Sequence, residues 1–122
     1  MRNMSFSMTT QQVRDRTKDV TRRAGWVKLQ PGSLLCAVEK GMGLKLGEKV
    51  VRLGVIRVVD VRQERLDALL AGGSYGIEEM RREGFPGLDP AEFVGRFRVR
   101  GVPPEKVITR IVFEYVDEEG SS

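Results

Sequence analysis

Val50-Val51-Arg52-Leu53-Gly54-Val55-Ile56-Arg57-Val58-Val59-Asp60-Val61 is the most β-prone stretch of the chain, and its reading decides the fold. Seven of these twelve residues are β-branched. Branching at Cβ stiffens χ1 and suits a pleated surface, so residues 50–61 are expected to form one long strand. Gly54 lies inside it, and a glycine within a strand marks a bend or bulge of the kind a curved sheet needs. Just upstream, Leu34-Leu35-Cys36-Ala37-Val38 is a short continuous apolar run, expected as a buried strand with Cys36 packed as a small hydrophobe. The two strands are joined by Gly41-Met42-Gly43-Leu44-Lys45-Leu46-Gly47, flanked by Lys40 and Lys49. This connection lacks the Gly-Lys-Ser/Thr ending of a phosphate-binding P-loop. It reads as a hairpin loop, with backbone contact to a phosphate as the alternative.

Downstream of the long strand, Leu66–Leu70 and Ile77–Arg82 read as short helices, stopped by Gly72-Gly73 and by Gly84. Leu88-Asp89-Pro90-Ala91-Glu92-Phe93 is a complete helix start. Asp89 caps, Pro90 takes the first position, Glu92 closes a capping box, and Leu88 with Phe93 forms a hydrophobic staple. Phe93 and Phe97, four apart, face the core together. Residues 107–116 alternate well enough for a final strand. At the other end, Asn3–Met8 also alternates, and Thr9 with Gln12 suggests a capping box opening a polar helix to about Thr17. Asp19-Val20-Thr21-Arg22-Arg23 returns to β character, and Pro31-Gly32 marks a turn. The order is β-α-β-β-β, a helical insertion, then β. The expected class is α+β: one domain over residues 1–122, a small, mostly antiparallel, curved β-barrel with helices covering one opening. Residues 116–122 are expected as a frayed tail.

Composition narrows the chemistry. The 122 residues contain no histidine, which excludes Ser-His-Asp and Cys-His catalysis and the usual zinc sites. Cys36 is the single cysteine, so no internal disulfide forms. There is no apolar run long enough to span a membrane and no leader pattern, and the expected location is cytoplasmic. No cofactor or metal is expected. Residues 1–65 carry fourteen Lys and Arg against six Asp and Glu, and residues 66–122 carry seven against eleven. A basic half beside an acidic half steers polyanions to one side. The densest basic cluster is Arg14, Arg16, Lys18, Arg22, Arg23 and Lys28, with Trp26 inside it. Cations beside an aromatic suit phosphate contacts and base stacking. Alternatively, Trp26 caps the barrel core.

Several segments, in this order, resemble the ASCH family, the activating-signal-cointegrator homology domains of the PUA-like β-barrel class. They are Phe6-Ser7-Met8-Thr9, Lys18-Asp19-Val20-Thr21-Arg22-Arg23, Pro31-Gly32-Ser33-Leu34-Leu35, and Glu83-Gly84-Phe85-Pro86 followed by the capped helix at Asp89. The resemblance runs from about Asn3 to Tyr115. It implies a PUA-like barrel with a cleft between barrel and helices that binds RNA or a nucleoside-type small molecule. Some bacterial members of the family are amidohydrolases that deacetylate N4-acetylcytidine with a lysine, a threonine three residues on, and a glutamate in the helical insertion. Lys18, Thr21 and Glu83 match these as catalytic candidates, and Arg23 matches a basic residue two after the threonine. Two features depart from the pattern. Asp19 follows the lysine, where it is expected to pair with Lys18, and Gly-Phe-Pro follows Glu83.

A lysine serves as a base only when burial or nearby cations pull its pKa towards neutrality. Arg16, Arg22 and Arg23 are candidates for that role. Thr21 would be nucleophile or water anchor, Glu83 the acid for the leaving amine, and backbone N–H groups near Thr9 the oxyanion donors. Arg16, Arg22, Arg23, Trp26, Lys28, Lys40 and Lys45 are the expected ligand or RNA contacts. Competing readings make Lys18 a solvated helix-end cation and Glu83 an exposed helix residue. A further one makes the acidic helical side a protein-interaction surface.

Overall fold

The computed structural model describes residues 1–40 and 46–117. The expectations for Lys45, for most of the glycine-rich connection and for the tail beyond Asp117 therefore lie outside the described residues. The elements run β1 (Arg2–Ser5), α1 (Thr10–Arg14), β2 (Val20–Arg23), β3 (Leu34–Val38), β4 (Arg52–Arg65), a 3-10 turn over Leu66–Leu70, α2 (Tyr75–Glu83), α3 (Pro90–Val99) and β5 (Val107–Val116). The class is α+β, as the pattern of elements requires. Five strands form one sheet in the order β1-β3-β4-β5-β2, strongly curled into a half-barrel. The β1–β3 pairing is parallel and the other three are antiparallel.

Two bulges in β4 account for the curl. Against β3, Ala37 pairs with Gly54 and Val38 with Arg52, which leaves Leu53 as the extra residue. Gly54 there has φ +149°, a conformation that side chains disfavour, and its place in the sequence had marked the bend. Against β5, Val58 pairs with Phe113 and Asp60 with Val112, leaving Val59 unpaired and half exposed. β4 also runs four residues past the valine-rich stretch. Arg62–Arg65 are polar, yet they stay in the sheet because β5 supplies partners from Arg110 back to Val107.

The first helix is shorter than expected. Arg16 adopts φ +60° and the Thr17 N–H turns back to the Gln12 carbonyl at 2.9 Å, so helical geometry ends at Arg14. The expected capping box at Thr9 does not form, because the Thr9 side chain makes no cap bond. Gln12 is drawn elsewhere, its Nε2 donating to the Gly84 carbonyl at 3.1 Å. The cap at Asp89 does form, the carboxylate accepting from the Ala91 N–H at 3.0 Å.

The apolar residues divide into two clusters. One fills the curl of the sheet and includes Met4, Phe6, Leu35, Ile56, Val58, Ile111 and Phe113. The other lies under the helices, with Leu66, Leu69, Met80, Phe93, Val94 and Ile108 at its centre and Phe85, Leu88 and Phe97 at its edge. Leu88 and Phe93 thus share one cluster, as the staple at this helix start anticipates. Cys36 is half-buried in β3 with a free thiol. Among the described residues no helix is long and apolar enough to cross a membrane.

Candidate functional site

Polar residues gather where the sheet cluster meets the helical cluster, and Lys18 is the best anchored of them. It lies in the short link between α1 and β2, and neighbours on both sides hold that link in place. The Tyr115 hydroxyl donates to the Lys18 carbonyl. The Asp19 N–H donates to the Arg82 carbonyl of α2 at 2.9 Å, and the Asp19 carbonyl accepts from Phe113 of β5 at 3.0 Å. The side chain is thereby aimed inward. Lys18 Nζ donates to the Glu83 carboxylate at 2.8 Å and to the Glu83 carbonyl at 2.7 Å. Both residues are only 2% exposed.

Glu83 is the last residue of α2, and Gly84 explains how it can reach Lys18. Gly84 ends the helix at φ +99°, and a Cβ there would stand 2.9 Å from Gln12 and 3.5 Å from Lys18. Only glycine allows the helix end to approach this closely. Glu79, one turn earlier on the same face, is also buried. These two carboxylates receive Arg22 from β2. Arg22 donates to Glu83 at 3.0 Å, to Glu79 at 2.6 Å and to Glu64 at 3.0 Å. In register with Arg22 across the β2–β5 pair lies Arg110, which also donates to Glu79. Two like charges directly opposite on adjacent strands are unfavourable, and Glu79 between them removes the conflict. Arg22 Nε, buried, has no acceptor.

Thr21 and Arg23 point to the other side of β2, since side chains alternate along a strand. Arg23 Nε donates to Thr21 Oγ1 at 3.0 Å, and Arg23 also reaches across to the Ser5 carbonyl of β1 at 2.7 Å. β1 and β2 are the two edges of the half-barrel, so Arg23 spans the opening. Its guanidinium lies 4.9 Å from the centre of the Phe6 ring.

These residues open onto one cavity of about 570 Å³. Lys18, Thr21, Arg22, Arg23 and Glu83 line its inner part, and Ser5 to Thr9 form one side. The wall from the helical region is aromatic. Phe85 and Phe93 have centroids 6.2 Å apart, and Phe93 and Phe97 5.4 Å. Arg96 and Arg100, a turn apart and exposed, form the mouth, with Arg96 resting 5.1 Å from the Phe85 ring centre.

The electrostatics follow from burial and neighbours. Burial is the largest influence on Lys18 and pulls its pKa below the usual lysine range. Glu83 opposes that shift, and Arg23 and Arg22 add to it. Burial lowers Arg23 to about 10; Glu83 opposes that shift and Arg100 adds to it. Burial disfavours the charge of Arg22, but Glu83, Glu79 and Glu64 outweigh it and raise its pKa. Burial would raise Glu79, but Arg110 and Arg22 hold it down at about 2.

The structure brings together Lys18, Thr21 and Glu83, and with them Arg22 and Arg23. Arg16, Trp26, Lys28 and Lys40 do not line this cavity. Arg16 sits over the Tyr115 ring at 5.5 Å. Trp26 packs partly buried against the sheet cluster, with Arg2 4.1 Å over its ring. Lys28 and Lys40 are exposed. Four expectations change. Asp19 pairs with Arg82 at 3.0 Å rather than with Lys18, because its side chain leaves the link in the opposite direction. Lys18 is no solvated helix-end cation, and Glu83 is no exposed helix residue. The Thr9 N–H already donates to the Phe6 carbonyl at 3.0 Å, so it is no free oxyanion donor.

Glu79, Phe85, Arg96 and Arg100 were not anticipated. Spacing held the signal for each pair on its own helix: Glu79 and Glu83, and Arg96 and Arg100, are both four apart. Among the described residues no group of three His, Cys, Asp or Glu side chains is placed to hold a metal.

No family model and no curated protein matches the sequence. The fold does resemble a solved one, the crystal structure of protein EF3133 from Enterococcus faecalis V583, which carries the family name DUF984. The two superpose with a TM-score of 0.60 over 91% of this chain and 71% of that one, at 17% sequence identity. At that identity the likeness concerns the fold alone.

Proposed function

We propose that this is an ASCH-type domain of the PUA-like class that binds a nucleoside-type ligand in the cleft between its curled sheet and its helices. The observation that carries the reading is the convergence of Lys18, Thr21 and Glu83, from three separate stretches of chain, on one cavity with an aromatic wall. Its volume of about 570 Å³ falls in the range of small-molecule sites. Phe85, Phe93 and Phe97 offer apolar surface to a planar base, and Thr21, Glu83 and Lys18 offer hydrogen-bonding groups to its edge. A free ligand is favoured over an RNA chain because Arg16, Lys28 and Lys40 do not continue the cavity lining as a basic groove. Titration with cytidine, followed by calorimetry, tests this. Saturable one-site binding that weakens at least tenfold in Thr21→Val supports it, and no detectable binding rejects it.

The buried Lys18–Glu83 contact favours a second reading, hydrolysis of an acylated cytidine. Water adds to the acetyl carbonyl carbon, the C–N bond breaks, and the exocyclic nitrogen takes up a proton, giving acetate and cytidine. Lys18 donates a proton towards Glu83 at 2.8 Å, so the pair holds one transferable proton beside Thr21. Thr21 Oγ1 accepts from Arg23, which orients its own O–H. Release of cytidine from N4-acetylcytidine is the assay. Turnover that survives both Lys18→Ala and Thr21→Ala, or no turnover by the unaltered protein, removes this reading.

A further inference from the structure

The cavity lining is charged in an unbalanced way. It carries five cations, Lys18, Arg22, Arg23, Arg96 and Arg100, and one carboxylate, Glu83. Glu83 is occupied by Lys18 and Arg22, and Arg22 also has Glu64 and Glu79. That leaves Arg23, Arg96 and Arg100 in no ion pair among the described residues, Arg23 feeling Glu83 only at longer range. Elsewhere on the surface Arg14, Arg57, Arg65, Arg81 and Arg82 each find one. Three arginines without an ion pair thus line this one cavity, while Arg2, Arg16 and Arg98, which also lack one among the described residues, lie outside it.

Their geometry suits an incoming anion. Arg23 is held by the Thr21 hydroxyl and the Ser5 carbonyl, so its fork is fixed before any ligand arrives. Arg96 is set against the Phe85 ring. Arg100 is near enough to Arg23 for their like charges to oppose each other. An anion between them removes that repulsion and accepts from more than one guanidinium fork.

We propose that the ligand of this cavity is a nucleoside 5′-monophosphate, its base against Phe85, Phe93 and Phe97 and its phosphate held at the mouth by Arg96 and Arg100 with Arg23 behind them. The proposal rests on the nucleoside reading above and adds the phosphate to it. A phosphate presents three acceptor oxygens and close to two charges at neutral pH, which matches three forks better than a single carboxylate does.

The test is calorimetric titration of the whole protein with cytidine, with cytidine 5′-monophosphate and with a tricytidylate, at low salt. The monophosphate is expected to bind at least about tenfold more tightly than cytidine, one charge-assisted contact's worth. In Arg96→Gln/Arg100→Gln, both exposed and neither in a buried ion pair, that ratio should fall towards one, with thermal melting confirming the fold. Equal affinity for cytidine and its monophosphate overturns the phosphate assignment and leaves the nucleoside reading standing. A ratio that persists in the double variant overturns the role of these arginines. Tighter binding of the tricytidylate than of the monophosphate replaces the free nucleotide with an RNA strand and overturns the proposal. No binding of any of the three rejects both readings.

Discussion

Behind the inner end of the cavity Lys18, Arg22 and Arg110 meet Glu64, Glu79 and Glu83, whereas at the mouth Arg96 and Arg100 have no carboxylate partner among the described residues. The inner charges are out of water, where an unpaired one is costly, and all but Arg23 are paired with a carboxylate; Arg23 donates instead to the Thr21 hydroxyl and the Ser5 carbonyl. The mouth charges stay in water, where leaving them unpaired costs little. The inner end is consequently part of what holds sheet and helices together. The mouth is where the proposed ligand would find unpaired cations.

That contrast breaks most sharply at Glu79. Replacing it by alanine leaves Arg22 and Arg110 in register across two strands without their shared carboxylate. The expected loss is about 3–5 kcal/mol in a urea unfolding experiment. A loss below about 1 kcal/mol would mean the inner network contributes no more than a surface pair. Acid acts on the same carboxylate. Glu79 sits at about 2 in the fold against an ordinary 4.5. A depressed carboxylate stabilises the fold above its unfolded pKa and loses that contribution as pH falls. Unfolding free energy should therefore hold steady from pH 7 to 5. It should then drop by on the order of 2–3 kcal/mol between pH 4.5 and 2. Steady stability down to pH 2 contradicts the pairing.

Gly84→Ala forces a Cβ at positive φ against Gln12 and disturbs the helix end that carries Glu83. A cost of about 1–2 kcal/mol is expected, readable as a lowered melting temperature. At the mouth, Arg100→Ala should change stability by less than about 0.5 kcal/mol. A larger loss would show that Arg100 supports the fold and is not held for a ligand.

Much of this was legible in the residues. The β-branched run from Val50, the glycine at 54 and the cap at Asp89 each act through local sterics or a hydrogen bond a few residues away; the bend and the cap appear as read, while the strand covers Arg52–Arg65 and leaves Val50 and Val51 outside it. The Lys18, Thr21 and Glu83 set came into view only through family resemblance, and nothing in the spacing of Lys18 and Thr21 separates it from chance. Glu79 and Arg100 were hidden for another reason. A glutamate on a helix reads the same whether it faces water or two arginines, and an arginine reads the same paired or alone.

The sequence by itself determined the order of the elements, the bend in the long strand, the start of α3 and the absence of histidine chemistry, because each depends on backbone preference or composition. Tertiary structure alone decided that β2 and β5 bring Arg22 opposite Arg110, that α2 offers Glu79 and Glu83 to them, and that Asp19 turns away to Arg82. Whether a charge is neutralised or available is a property of its neighbours in space. Those neighbours lie up to 65 residues away along the chain.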